Sequence, residues 1–153
     1  MVSQPVRSPA AKLAGIDLVN HHQRTGYDLR DSDLYRADLQ KAHLFGLDLR
    51  GSSLMKADLR GANLHCCDLR DCNLLGVQLD CARLDNVIWD RRLRQERQGS
   101  AHQRLGDNDA ARRCFEEAEE TYRNLRLSLE QAGLFEQAGH FFHREMVMRR
   151  LQM

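Results

Sequence analysis

Leucine recurs every fifth residue through the middle of this 153-residue chain, at Leu29, Leu34, Leu39, Leu44, Leu49, Leu54, Leu59, Leu64, Leu69, Leu74, Leu79 and Leu84, without a miss. No ordinary element tolerates that interval. Five residues of α-helix advance about 500°, so the leucines would precess around the whole helix surface. On a flat strand an odd period alternates them between the two faces. A coil survives the test: each quintet makes one side and turns, so that every Leu meets the same axis and each layer is buried by its neighbours.

The residue two before each Leu is mostly small: Ser32, Ala37, Ala42, Ser52, Ala57, Ala62, Cys67, Cys72 and Ala82. The remaining three positions are mainly Asp, Asn, Arg, Lys, Gly and Gln. Each quintet thus offers two inward and three outward residues. These quintets resemble the pentapeptide-repeat family, whose phrase is A(D/N)LXX. The resemblance runs from residue 27 to 86, and VIWDR at 87–91 reads as a degenerate thirteenth unit with Trp89 in the leucine slot. It implies an all-β solenoid, a right-handed quadrilateral β-helix of about three coils over 27–91, roughly 15 Å tall at the usual strand spacing. Four quintets per coil imply a 20-residue period, and Asp-Leu-Arg recurs at 28–30, 48–50 and 68–70. Asp28, Asp48 and Asp68 should therefore stack beside Arg30, Arg50 and Arg70. Such a ladder is either a recognition face or a solvated wall of mutually compensating charges.

Upstream, residues 1–26 keep the rhythm at Leu13 and Leu18 but lose register before Leu29, which suits an N-terminal segment and cap. Residues 92–106, RLRQERQGSAHQRLG, read as a charged linker. From 107 to 153 the period changes to 3.6. Ala111, Phe115, Ala118, Tyr122, Leu125, Leu129 and Ala132 form one apolar stripe after an Asp107 or Asn108 cap, and Gly133 ends the helix. A second helix follows, with Phe135, Ala138, Phe141, Phe142, Met146 and Met148 expected to face inward. Together they read as an antiparallel two-helix hairpin, similar to a single tetratricopeptide-like unit and to helical tails of some bacterial pentapeptide-repeat proteins.

Charge excludes some partners. The segments 1–26, 27–91 and 92–153 carry 3, 9 and 11 basic against 1, 11 and 10 acidic residues, so no part is biased towards nucleic acid or a membrane surface. No apolar run approaches the roughly 20 residues of a membrane span. The N-terminus lacks a signal-peptide core, and five cysteines fit a reducing compartment, so a cytoplasmic address is expected. Cys67 and Cys72 take the small inward position. Cys66 and Cys81 point outward and are the two worth testing for reactivity.

There is no phosphate loop, HExxH or GxSxG motif. The expected function is therefore non-enzymatic, without cofactor or metal: an interaction or scaffold protein whose hairpin caps the β-helix, docks a protein partner, or both. The docking residues would be Tyr122, Leu125, Leu129, Phe135, Phe141, Phe142 and Met146, with another protein or a second copy of the chain as partner. Some family members resemble B-form DNA and bind topoisomerases such as gyrase, which makes DNA mimicry the runner-up. A mimic should be long and acidic, since DNA carries a charge about every 1.7 Å, and these repeats are short and nearly neutral. A cysteine-based redox or metal sensor is the third reading.

Overall fold

The computed structural model describes residues 14–15 and 29–153, so the expected cap over 1–26, with Tyr27 and Asp28, lies outside the described residues apart from one turn. The chain divides into two compact units, Met1–Trp89 and Asp90–Met153.

In the first unit every quintet from Leu34 to Leu84 closes the same turn. The N–H of Ala37 donates to the Leu34 carbonyl at 3.0 Å, that of Ala42 to Leu39 at 3.1 Å and that of Ala57 to Leu54 at 2.9 Å. The last quintet position sits in the left-handed region throughout, with φ of 57° at Asp31, Arg36, Lys41 and Lys56, 63° at Cys66, 60° at Cys81, and glycine at 46, 51, 61 and 76. A tight turn with a left-handed third residue is the type II arrangement. Where Asp or Asn precedes the Leu, it holds the turn from outside. Asp33, Asp38, Asp48, Asp58, Asn63, Asp68 and Asn73 each accept, through Oδ1, the backbone N–H two residues on, at 3.1–3.2 Å. That local bond is why the family phrase needs Asp or Asn there.

Successive coils pair in parallel 20 residues apart: Asp33 with Ser53 and Ser53 with Asn73, Asp38 with Asp58 and Asp58 with Gln78, His43 with Asn63 and Asn63 with Arg83, Asp48 with Asp68 and Asp68 with Ile88. Four quintets therefore make one coil, and the described repeats make three. Each bridge is a single residue long because the turn follows at once. Leu29 through Leu84 are all buried, from 4% exposed at Leu29 and Leu34 to 0% at Leu54 and Leu64. Trp89, in register with them, is half-buried. At the small inward position, side-chain donors reach a leucine carbonyl 23 residues earlier: Ser52 Oγ to Leu29 at 2.7 Å, Cys67 Sγ to Leu44 at 2.8 Å and Cys72 Sγ to Leu49 at 3.0 Å. Upstream, the Gly15 N–H donates to the Gln40 carbonyl at 2.7 Å, as the Lys41 N–H does to Arg60 at 2.9 Å. The turn at 14–15 thus stacks on the corner at Lys41, with 26 residues between equivalent positions in place of 20.

The second unit holds three helices, α1 (Arg94–Arg104), α2 (Asn108–Gln131) and α3 (Phe135–Leu151). The charged-linker reading of 92–106 is corrected: most of it is α1, and the unit is more than a two-helix hairpin. Apolar periodicity could not reveal α1, whose buried residues are Gln95, Glu96 and Gly99. Gly99 is no linker signal. A Cβ there would lie 2.6 Å from the Phe115 ring, so glycine lets α1 rest directly on α2. Asp107 caps α2 by accepting the Ala110 N–H at 3.1 Å, and Gly133, with φ of 76°, ends it. Partners on α2 and α3 run in opposite senses, Glu119 to Arg149 and Arg123 to Glu145.

Candidate functional site

Three surfaces or clusters could carry function. The first is the outward row beside Leu29, Leu49 and Leu69. Arg50 binds the Asp48 carboxylate of its own quintet at 2.7 Å and approaches Asp68 of the next coil to 3.6 Å. Arg70 binds Asp68 at 2.6 Å, and Arg30 approaches Asp48 to 3.9 Å. The expected ladder is present at Arg30, Asp48, Arg50, Asp68 and Arg70, and its charges are spent on one another. Hydrogen bonds from Arg50 and Arg70 hold the Asp48 and Asp68 carboxyls below their usual range. Arg60 does the same for Asp58 on another side of the coil. An open groove runs along this row between Arg30, Asp31, Arg50, Gly51, Arg70 and Asp71.

The cysteines separate by depth. Cys67 and Cys72 are buried, and burial pushes the Cys67 thiol up to about 12. Cys66 and Cys81 are exposed, and the five cysteines form no disulfide. Among the described residues no group of three or more His, Cys, Asp or Glu side chains could hold a metal ion. His65, next to Cys66, is occupied otherwise: its Nδ1–H donates to the Asp85 carbonyl at 2.8 Å and its ring stacks on Phe45 with centroids 5.2 Å apart. Phe45 with His65, and Tyr35 with Met55 and Leu75, are outward rows that the reading by quintets missed. The signal was available as a 20-residue period at the position after each Leu.

The helical unit divides the expected docking residues into two groups. Tyr122, Leu125, Leu129 and Phe141 are 0–1% exposed and form its core, which removes them from any docking surface. Tyr122 and Phe141 pack with ring centroids 5.6 Å apart. Phe135 and Phe142 are 70% and 49% exposed, and Met146 is half-buried. The inward face of α3 is Ala138, Phe141, Glu145 and Met148, so the expectation that Phe135, Phe142 and Met146 face inward is corrected. The phase was concealed by Glu145. Its carboxylate is 2% exposed and receives Arg126 at 2.8 Å, Arg123 at 3.3 Å and Arg149 at 3.6 Å. A glutamate so surrounded occupies a core position that a search for apolar residues reads as surface.

The outer face of α3 follows from that phase. Phe135, Gly139, Phe142 and Met146 recur at steps of four, three and four, a narrow seam within about 60° of arc at 100° per residue. Arg126, fixed by Glu145 and by Glu130 at 3.2 Å, lies over the Phe142 ring at 5.4 Å. No described helix is long and apolar enough to cross a membrane.

Stacked quintets bridged every 20 residues define a four-sided β-helix. Residues 52–88 match the sequence profile described as pentapeptide repeats, in eight copies, and this segment is a pentapeptide-repeat β-helix. Among solved structures, the chain is similar to a pentapeptide repeat protein of the Arabidopsis thaliana thylakoid lumen, at 29% identity over 55% of this chain and 57% of that one, with a TM-score of 0.35. It is also similar to HetL, a pentapeptide repeat protein involved in heterocyst differentiation regulation in the cyanobacterium Nostoc, at 30% identity over 61% of this chain and 42% of that one, with a TM-score of 0.34. A pentapeptide repeat protein of the cyanobacterium Cyanothece matches at 21% identity over 57% of this chain and 89% of that one, with a TM-score of 0.26. The chain thus spans about half the length of the first two. No curated protein sequence matches it.

Proposed function

We propose that the chain is a non-enzymatic interaction scaffold, a short β-helix joined to a three-helix unit that docks a protein through the outer face of α3. One observation carries the reading: Phe135 and Phe142 stand 70% and 49% exposed on one seam of a helix whose other apolar face is fully packed. Large exposed aromatics clustered on one helix face suit a helix-packing partner. The coil interior is filled by leucine, which leaves the β-helix a rigid body. DNA mimicry is disfavoured on the ladder side, where Asp48 and Asp68 are each held by arginine.

The test compares the intact chain with a Phe135→Asp, Phe142→Asp double variant in the native host, by affinity capture and native mass spectrometry. Both residues are exposed, so the variant keeps its helical signal. The reading expects a complex, of whatever composition, that the intact chain forms and the variant loses. Equal retention by both forms would overturn it.

A further inference from the structure

We infer that the occupant of the α3 outer face is the α3 of a second copy of the chain, packed antiparallel about a two-fold axis; this rests on the docking face proposed above. Three features of the seam converge on that partner. Gly139 lies in the middle of α3 and a Cβ there would meet nothing within 4 Å. Glycine inside a helix is less favourable than alanine, and packing within this chain gives no reason for it. A closely approaching second helix does.

The seam is also self-complementary in size. In an antiparallel pair centred between residues 140 and 141, Phe142 of one copy falls opposite Gly139 of the other, and Phe135 falls opposite Met146. Each large ring meets a gap or a flexible thioether. Parallel pairing would set Gly139 against Gly139 and Phe142 against Phe142, leaving a void beside an overpacked layer. Charge agrees with the antiparallel sense. Glu136, His143 and Arg150, all exposed and seven residues apart, share one flank of the seam. Antiparallel pairing brings like flanks together and so places Glu136 of one copy between His143 and Arg150 of the other, whereas parallel pairing turns this flank towards the opposite flank of the partner and loses that match. A two-fold interface uses the same patch on both copies, so each of these contacts occurs twice.

The register makes the inference testable in the full-length protein by sedimentation velocity across micromolar to hundred-micromolar concentration, with far-UV circular dichroism as the check on folding. The intact chain should be dimeric at the upper end. Phe135→Glu and Met146→Lys should each weaken association by about tenfold or more. Combined in one chain they should restore it, because each new glutamate faces a new lysine across the two-fold axis. A chain monomeric at every concentration overturns self-association, and a dimer indifferent to the single variants overturns the α3 seam as its interface. A combined variant that stays dissociated overturns the antiparallel register. None of these results decides the docking proposal above, which fails only when the double aspartate variant retains every complex.

Discussion

The Tyr122 hydroxyl on α2 donates to Glu96 Oε2 on α1 at 2.5 Å while accepting the Leu93 N–H at 2.8 Å. Glu96 itself is 0% exposed and also receives Arg92 at 2.7 Å and a bidentate contact from Arg144 on α3. One carboxylate thus ties all three helices together, in a segment whose sequence looks like solvated linker.

Burial works against the ionised form of Glu96, but the hydrogen bonds from Arg144, Tyr122 and Arg92 outweigh it and hold the carboxyl below its ordinary value. A depressed folded-state pKa contributes stability above the unfolded value near 4.3, lost as pH falls through the folded one. Glu96→Gln should therefore lower the stability of the helical unit at neutral pH by roughly 3–5 kcal/mol, the usual effect of breaking a buried ion pair. The gap between the two proteins should narrow progressively as pH falls below that unfolded value. Urea unfolding followed at 222 nm from pH 7 to pH 3 reads both; a gap that stays constant with pH would remove the ionised network from the account.

Two glycines in helix interiors should respond in opposite ways. Gly99→Ala places a methyl 2.6 Å from the Phe115 ring and should destabilise the unit by about 1–3 kcal/mol despite the better helix propensity. Gly139→Ala meets nothing and should stabilise the monomer by about 0.5–1 kcal/mol. Thermal melts at low protein concentration distinguish the two, and equal effects would contradict the packing of α1 on α2.

The left-handed corner position makes a prediction for the β-helix. Cys81 is exposed with φ of 60°. Cys81→Gly should stabilise the solenoid by roughly 1 kcal/mol, since an L-residue is strained there. Cys81→Val, β-branched, should destabilise it. Chemical unfolding of the two variants orders them around the parent, and the reverse order would rule out the turn geometry.

The repeat fold was legible because its signal is chemical as well as periodic. Leucine marks the axis, and Asp or Asn marks the residue whose carboxyl or amide oxygen closes the turn, as at Asp33 and Asn73. The helical unit was legible only where its core is apolar. Phe115, Ala118, Tyr122, Leu125 and Leu129 gave α2 its correct face. Glu96 and Glu145 hid α1 and misplaced the phase of α3, because arginines from neighbouring helices make those positions internal. Nothing local in the sequence announces that pairing.

The corrected phase separates core from surface on adjoining helices. Leu125→Ala, at 1% exposure, should cost about 2–5 kcal/mol. Phe142→Ala should cost well under half as much, since it removes a half-exposed ring and its contact with Arg126. Denaturant midpoints of the two variants give the comparison, and equal losses would return Phe142 to the core.

The most direct measurement is covalent footprinting of the intact chain, comparing modification rates at Phe135, Phe142 and Met146 between dilute and concentrated protein. Tyr35 and Phe45, outward residues of the β-helix, serve as internal controls. Protection of the three α3 residues on concentration, with Tyr35 and Phe45 unchanged, is the result predicted for an α3 seam covered by a second copy. Unchanged rates at all three, or protection confined to the β-helix, would contradict it.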